Sequence, residues 1–272
     1  MLTEERRAAR AIRSRFPRPR AESLITAATV GALLLAWQLV ASSGLVPSYF
    51  VPTPLQTWQT FLDILADGYR GHSLLEHLAA SLGRVLLAFA GAVALGVPLG
   101  LAVGSSSKVA AVFDPLIAFY RPLPPLAYYT LLVIWLGIED SSKVALLFLA
   151  ALPPIVLSTS AGVRGVREDY INGARSLGAS RWQVFRHVVF PACLPEIFTG
   201  LRVSVGFTYT TLVAAEMVAG LNGIGWMVLD ASKFLQSDVI FVGILLMGLT
   251  GMLLDWAVRM AERAVVPWRG RA

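Results

Sequence analysis

The sequence predicts an all-α, polytopic membrane protein with six transmembrane helices, and three observations carry that prediction. Of its 272 residues 56% are hydrophobic and only 15% charged, with a mean hydropathy of +0.65, more apolar surface than a soluble core of this size absorbs. Six stretches run nearly free of charge for close to the roughly 20 helical residues that cross a bilayer core of about 30 Å. Finally, 17 of the 23 Lys and Arg residues fall on one side of those stretches. The same composition excludes a disordered chain. A single cysteine, Cys193, excludes a disulfide-built fold and reads as a small packing residue.

Taken in order, residues 1–21 form a basic tail with seven arginines between Arg6 and Arg20. The first span, Leu24 to Val40, is followed by Ala41-Ser42-Ser43, so a cleaved leader has to be weighed. A leader containing Glu4 and Glu5 is long for a signal n-region, and the apolar stretch suits a retained anchor. Together with an outer segment, Ser42 to Leu78, this span makes up a first unit, 22–77. That segment carries Pro47, Pro52 and Pro54, then an amphipathic stretch from Thr57 to Leu65 read as a short surface helix.

Residues 78–264 form the core of five further spans. The second, Val85 to Val103, carries Gly96, Gly100 and Gly104 at four-residue spacing, which leaves one face narrow enough for close helix packing, while Pro98 adds a kink. The third, Pro122 to Ile138, is preceded by Arg121 and interrupted by Pro122, Pro124 and Pro125, which break the helix that begins near Ala110. The fourth is Val144 to Val163. The fifth, Val203 to Ala215, is the shortest, bounded by Arg202 and Glu216. The sixth is Val239 to Leu254, and a second basic tail, 265–272, follows.

The basic residues give the chain a sidedness. The two tails and the segment 164–191 hold most of them, whereas the opposite connections hold only Arg70, Lys143 and Lys233. By the positive-inside rule both termini are cytoplasmic, as an even number of spans requires. This placement accounts for the net charge of +6 without nucleic acid as a partner, and leaves membrane lipid as the surroundings.

Several chemistries are absent from the sequence. The lysines follow Ser107, Ser142 and Ser232 with no phosphate-binding Gly-Lys-Ser/Thr loop, so the chain does not bind ATP by that route. Gly220 to Gly225 lacks dinucleotide spacing and reads as a flexible outer connection. His72, His77 and His187 are too dispersed for a metal site. No Gly-x-Ser-x-Gly elbow or nucleophile–base pair points to an enzyme, so no catalytic residue is expected. A secondary transporter calls for internal repeats or ion-binding carboxylates within spans, and neither pattern is developed here.

The most informative stretch follows the fourth span. A helix ending at Leu177 places Arg175 in its last turn, where the dipole favours a cation, and Gly178 as a left-handed cap. A second helix starts with the capping box Ser180 and Gln183, presents Trp182, Phe185, Val188 and Val189 on one face, and stops at Pro191. Asn172-Gly173-Ala174, Gly178, and Val188-Val189-Phe190-Pro191 resemble, in spacing, the cytoplasmic signature of the permease subunits of bacterial ABC importers. Asn172 stands where that signature has an acid, and Gly173 where it has an alanine. The stretches Leu74 to Arg84, Asp114 to Ala127, Ala174 to Ser180, Thr199 to Arg202 and Thr211 to Glu216 extend the resemblance to the branch that imports taurine, alkanesulfonates and nitrate.

That resemblance implies the type I importer permease fold in a bacterial inner membrane. Asn172, Gly173, Ala174, Arg175, Leu177, Gly178 and Pro191 would then couple the chain to a separate ATPase. It also implies a second permease copy, two ATPase subunits using ATP and Mg, a periplasmic solute-binding protein, and no cofactor on this chain. The solute expected is taurine or a related sulfonate, with nitrate or another small solute of the same branch as the alternative. Charge within the membrane costs about 2.5 to 3.5 kcal/mol on insertion scales. Arg121 and Glu216 are therefore read, with Pro122, Pro124 and Pro125, as candidates for the gate or conduit. The competing readings are a carbonyl cap for Arg121, the outer mouth for Glu216 and interfacial snorkelling for Arg202.

Overall fold

In the computed structural model the described residues are 19–44, 46, 47 and 49–268. Most of the first basic tail, and residues 269–272 with Arg269 and Arg271, lie outside them. Every regular element among the described residues is helical. Five helices are long and apolar enough to cross a membrane, spanning 23–42, 74–105, 140–164, 181–219 and 237–265. The remaining expected span is shorter.

Helix α1, Pro19–Ser42, turns almost all of its apolar residues outward, including Leu33 and Leu39. Its fixed points are Trp37, whose indole donates to the Pro52 carbonyl at 2.9 Å and stacks on Phe241. Helix α2, Pro54–Asp67, starts where proline is preorganised and Thr53 and Gln56 close a capping box, and it buries Thr57 and Ile64. It contains the expected surface helix. Helix α3, Leu74–Ser105, begins at a second capping box, Ser73 and Glu76, well before the apolar stretch. Its polar first turns, with His77, Ser81 and Arg84, are buried.

The third expected span is divided. Helix α4, Ser107–Tyr120, ends at the proline-rich turn, and α5, Pro125–Leu136, restarts with 12 residues after it. Pro122, Pro124 and Pro125 cannot donate to the ladder, and each biases its preceding residue away from helix. Helix α6, Asp140–Arg164, tolerates Pro153 and Pro154 and is the centre of the fold, packed on one side by α3 and on the other by α9. Leu146, Leu147, Ala151 and Ile155 are fully buried there.

In lipid, helix association rests on van der Waals packing and close approach. Here the glycine stripe acts as expected. A Cβ on Gly100 would lie 2.5 Å from Thr159 Cβ and 2.8 Å from the Val156 carbonyl, and one on Gly104 would lie 2.6 Å from Val163 Cβ. At Gly200 on α9 the hypothetical Cβ would lie 2.5 Å from Ser158 Cβ. Thus both neighbours of α6 approach it through glycines.

Beyond α6 come α7, Glu168–Ser176, and α8, Arg181–Val184. A π-turn, Phe185–Val189, then leads into α9, Phe190–Ala219. Pro191 does not stop the run as the sequence suggested. It occupies the first turn of α9, and the wider π-turn, closed by the Phe190 N–H on the Phe185 carbonyl, absorbs the missing donor so that the helix continues. The fifth span is also longer than expected, because its bounding charges are paired. Arg202 Nε lies 3.2 Å from Asp255, and Glu216 lies against Arg84. Helix α10, Ile224–Lys233, folds back beside α9, and α11, Ser237–Val265, completes the bundle.

Candidate functional site

Three arrangements hold the candidate residues, and the first is the corner between α6 and α9. Helix α7 has Glu168 and Asp169 in its first turn, Arg175 in its last, and no buried residue. It ends in a two-bond motif in which the Gly178 N–H donates to the Arg175 carbonyl at 2.9 Å and the Ala179 N–H to the Ala174 carbonyl at 3.1 Å. Gly178 has φ +84°, and the capping box of Ser180 and Gln183 starts the next helix. Asn172, Gly173, Ala174, Arg175, Leu177 and Gly178 thus share one short projecting element, while Pro191 lies beyond the π-turn in α9. Three large side chains are exposed at this corner, Tyr170 58%, Leu177 89% and Trp182 65%. The apolar face expected of the second helix is therefore divided, since Val189, in the π-turn, is buried and Trp182 is not.

The second arrangement is a cavity of about 1000 Å³ bounded by the α4–α5 turn, α6 and α9. Arg121, Pro122, Pro124 and Pro125 all line it, together with the bonded hydroxyls of Tyr120 and Tyr128. Pro154 also faces it and removes the donor that the Ala150 carbonyl would otherwise receive. The guanidinium of Arg121, for which a carbonyl cap was the competing reading, makes no hydrogen bond or ion pair among the described residues. Arg164 at the rim pairs with Asp114 at 3.0 Å.

Glu216 does not join that cavity. It is the centre of a third arrangement at the opposite end of the bundle, fully buried and contacted from α3 and α10. Its carboxylate accepts from Arg84 Nη1 at 2.6 Å, from Ser81 Oγ at 2.8 Å and from the Gly225 N–H at 2.9 Å. Arg84, with a side chain 4% exposed, also reaches Asp140 at 2.7 Å and both the side chain and the carbonyl of Asn222. Lys143 is tied to the Ile138 and Glu139 carbonyls at 2.9 and 3.2 Å.

The glycines between α9 and α10 are clamped, in contrast to the flexible connection the sequence suggested. Gly223, at φ +112°, lies so close to the Glu216 carboxylate that a Cβ has no room, and its N–H donates to His77 Nδ1 at 3.1 Å. His77 Nε2 then faces the Tyr69 carbonyl at 3.3 Å, which assigns the proton to Nε2. Outside the membrane-spanning helices, burial pushes the Tyr69 phenol up. Arg84 as the partner of Glu216, and Asp140 and Asn222 as further partners of Arg84, were not read from the sequence. One signal was present: an isolated Arg and an isolated Glu in different spans each require a counter-charge.

Residues 93–267 match the family described as binding-protein-dependent transport system inner membrane component. The taurine transport system permease protein TauC of Escherichia coli (strain K12) is 42% identical over 99% of this chain and 98% of its own. The putative aliphatic sulfonates transport permease protein SsuC of Bacillus subtilis (strain 168) is 33% identical over 87% of this chain and 84% of its own. Among solved structures, inward facing conformations of the MetNI methionine ABC transporter align with a TM-score of 0.62. They cover 71% of this chain and 95% of that one at 16% identity, a likeness of fold.

Proposed function

This chain belongs to the family of binding-protein-dependent transport inner membrane components, and on that premise we propose that it conducts taurine or a related sulfonate through an ATP-driven importer. As a family member it is a multi-pass inner-membrane transport component and not an enzyme, working with an ATPase and a binding protein. Two copies enclose the path, and two ATPase subunits supply Mg-ATP hydrolysis from the cytoplasm. Both termini and the segment 164–191 face that side, with 22–77 as an anchor and outer connection and 78–264 as the conducting core.

The observation that carries this reading is the α7–α8 corner. Its cap fixes the angle between two short helices while Tyr170, Leu177 and Trp182 remain uncovered, as suits an element that fits into a groove of another subunit. Asn172 to Gly178 form the docking element. When ATP draws the ATPases together, the two corners approach and the helices open outward; hydrolysis reverses the motion. Arg121 and the prolines beside it face the cavity and form part of the conduit, where a broken helix offers polar groups to water. Glu216, sealed against Arg84, supports the frame and not the conduit.

The test is the complete complex in liposomes with its receptor. Taurine should stimulate ATP hydrolysis and accumulate inside. Uptake driven by an ion gradient without the ATPase would refute the assignment in favour of a secondary transporter, and receptor binding to nitrate but not to sulfonates would move the solute to the alternative branch.

A further inference from the structure

The cavity beside the α4–α5 turn carries two uncommitted charges of opposite sign. Arg121 supplies the cation. The anion is Glu196 on α9, which lines the same cavity and, like Arg121, has no side-chain partner among the described residues. Its position follows from close packing. Gly162 on α6 has no Cβ, and one built there would lie 2.9 Å from Glu196 Cβ, so α9 approaches until this residue sits at the wall. Arg164, the other charged residue lining the cavity, already has Asp114 at 3.0 Å.

Ser158 also lines this space, and its hydroxyl has no partner among the described residues. So does Ala150, whose carbonyl has lost the helical donor that Pro154 would have supplied. Both are acceptors suited to an ammonium group. A conduit for simple anions such as nitrate or an alkanesulfonate has a use for the guanidinium and none for a free carboxylate, which repels them.

The geometry points to Glu196 as a selectivity residue of the permease itself: it and Arg121 make the cavity a low-affinity site for a zwitterion carrying a sulfonate at one end and an ammonium at the other. This assignment rests on the transport reading above and deepens it, because it gives the membrane path its own preference for amino sulfonates over plain ones. Arg121 holds the sulfonate, and Glu196, with the Ala150 carbonyl and Ser158, holds the ammonium.

The test is saturation-transfer NMR on the assembled permease–ATPase complex in nanodiscs without receptor, with taurine and ethanesulfonate as probes. Glu196→Gln keeps the shape and removes the charge. It should lower the ratio of taurine to ethanesulfonate affinity by about tenfold, the scale of one charge-assisted hydrogen bond. Arg121→Gln should weaken both probes and leave the ratio near that of the wild type. The ethanesulfonate signal checks the fold of the Glu196 variant in the same sample. A ratio unchanged by Glu196→Gln overturns this assignment while receptor-dependent uptake by the wild type leaves the transport reading standing. A wild-type complex that takes up neither sulfonate with its receptor refutes the transport reading and this assignment together.

Discussion

Replacing Glu216 with glutamine removes the counter-charge 2.6 Å from Arg84 in a place that neither side chain can leave. Loss of one member of a buried pair costs about 3–5 kcal/mol, because the survivor stays desolvated with its partner gone. Two features hold this case at the lower end. Asp140 still lies 2.7 Å from Arg84 and is largely solvated, and a glutamine oxygen still accepts from Ser81 or Gly225. The expected loss is therefore about 3 kcal/mol, or about 6–12 °C in the thermal midpoint for a chain of this size. Arg84→Met should cost a similar amount by stranding Glu216.

The double variant Arg84→Met with Glu216→Leu leaves neither charge stranded and should recover about 2 kcal/mol relative to either single change. Midpoints for loss of monodisperse complex on heating give the three values. Single variants that each shift the midpoint by under about 2 °C would refute the argument, as would a double variant no better than the sum of its parts.

In a Cys193-free background, a cysteine placed at Asp67 should be labelled from outside the cell, and labelling from the cytoplasmic side alone would reverse the topology. Gly178→Val adds a side chain where nothing lies within 4 Å, so its effect is the strain of a β-branched residue at positive φ, about 1–3 kcal/mol. The complex should reach the membrane but lose substrate-dependent ATP hydrolysis, and retained full uptake would remove the corner from the coupling role. Gly100→Ala should destabilise by about 1–3 kcal/mol through contact with Thr159 and the Val156 carbonyl. Gly83→Ala on the same helix meets nothing and should not, so equal melting of the two variants would dismiss the packing argument.

Much of this architecture was legible because lipid imposes simple rules. A bilayer demands long uncharged stretches, so most of the spans could be counted, and the spacing of Gly96, Gly100 and Gly104 announced a close helix contact before its partner was known. Gly178 was readable for a local reason: a helix cap is encoded within a few residues. The Glu216 cluster was hidden because Arg84 and Glu216 are far apart in sequence and periodicity says nothing about which charges meet. Pro191 misled for a related reason, since a proline reports a missing donor but not whether a π-turn will accommodate it. Glu196 drew no attention on a helix where it has no sequence signature; only the cavity gives its free charge a meaning.

The close contact at Gly200 has a mechanical consequence. Gly200 is the midpoint of the continuous helical run Arg181–Ala219, with arms of about 28 Å on either side at 1.5 Å per residue. A rod that pivots at its centre behaves as a balance beam. Tilting it by 10° about the Ser158 contact moves each tip by about 5 Å, in opposite directions. Any pull that moves Arg181 to one side therefore swings the end bearing Glu216 to the other, and the clamped glycines oblige α10 to travel with that tip.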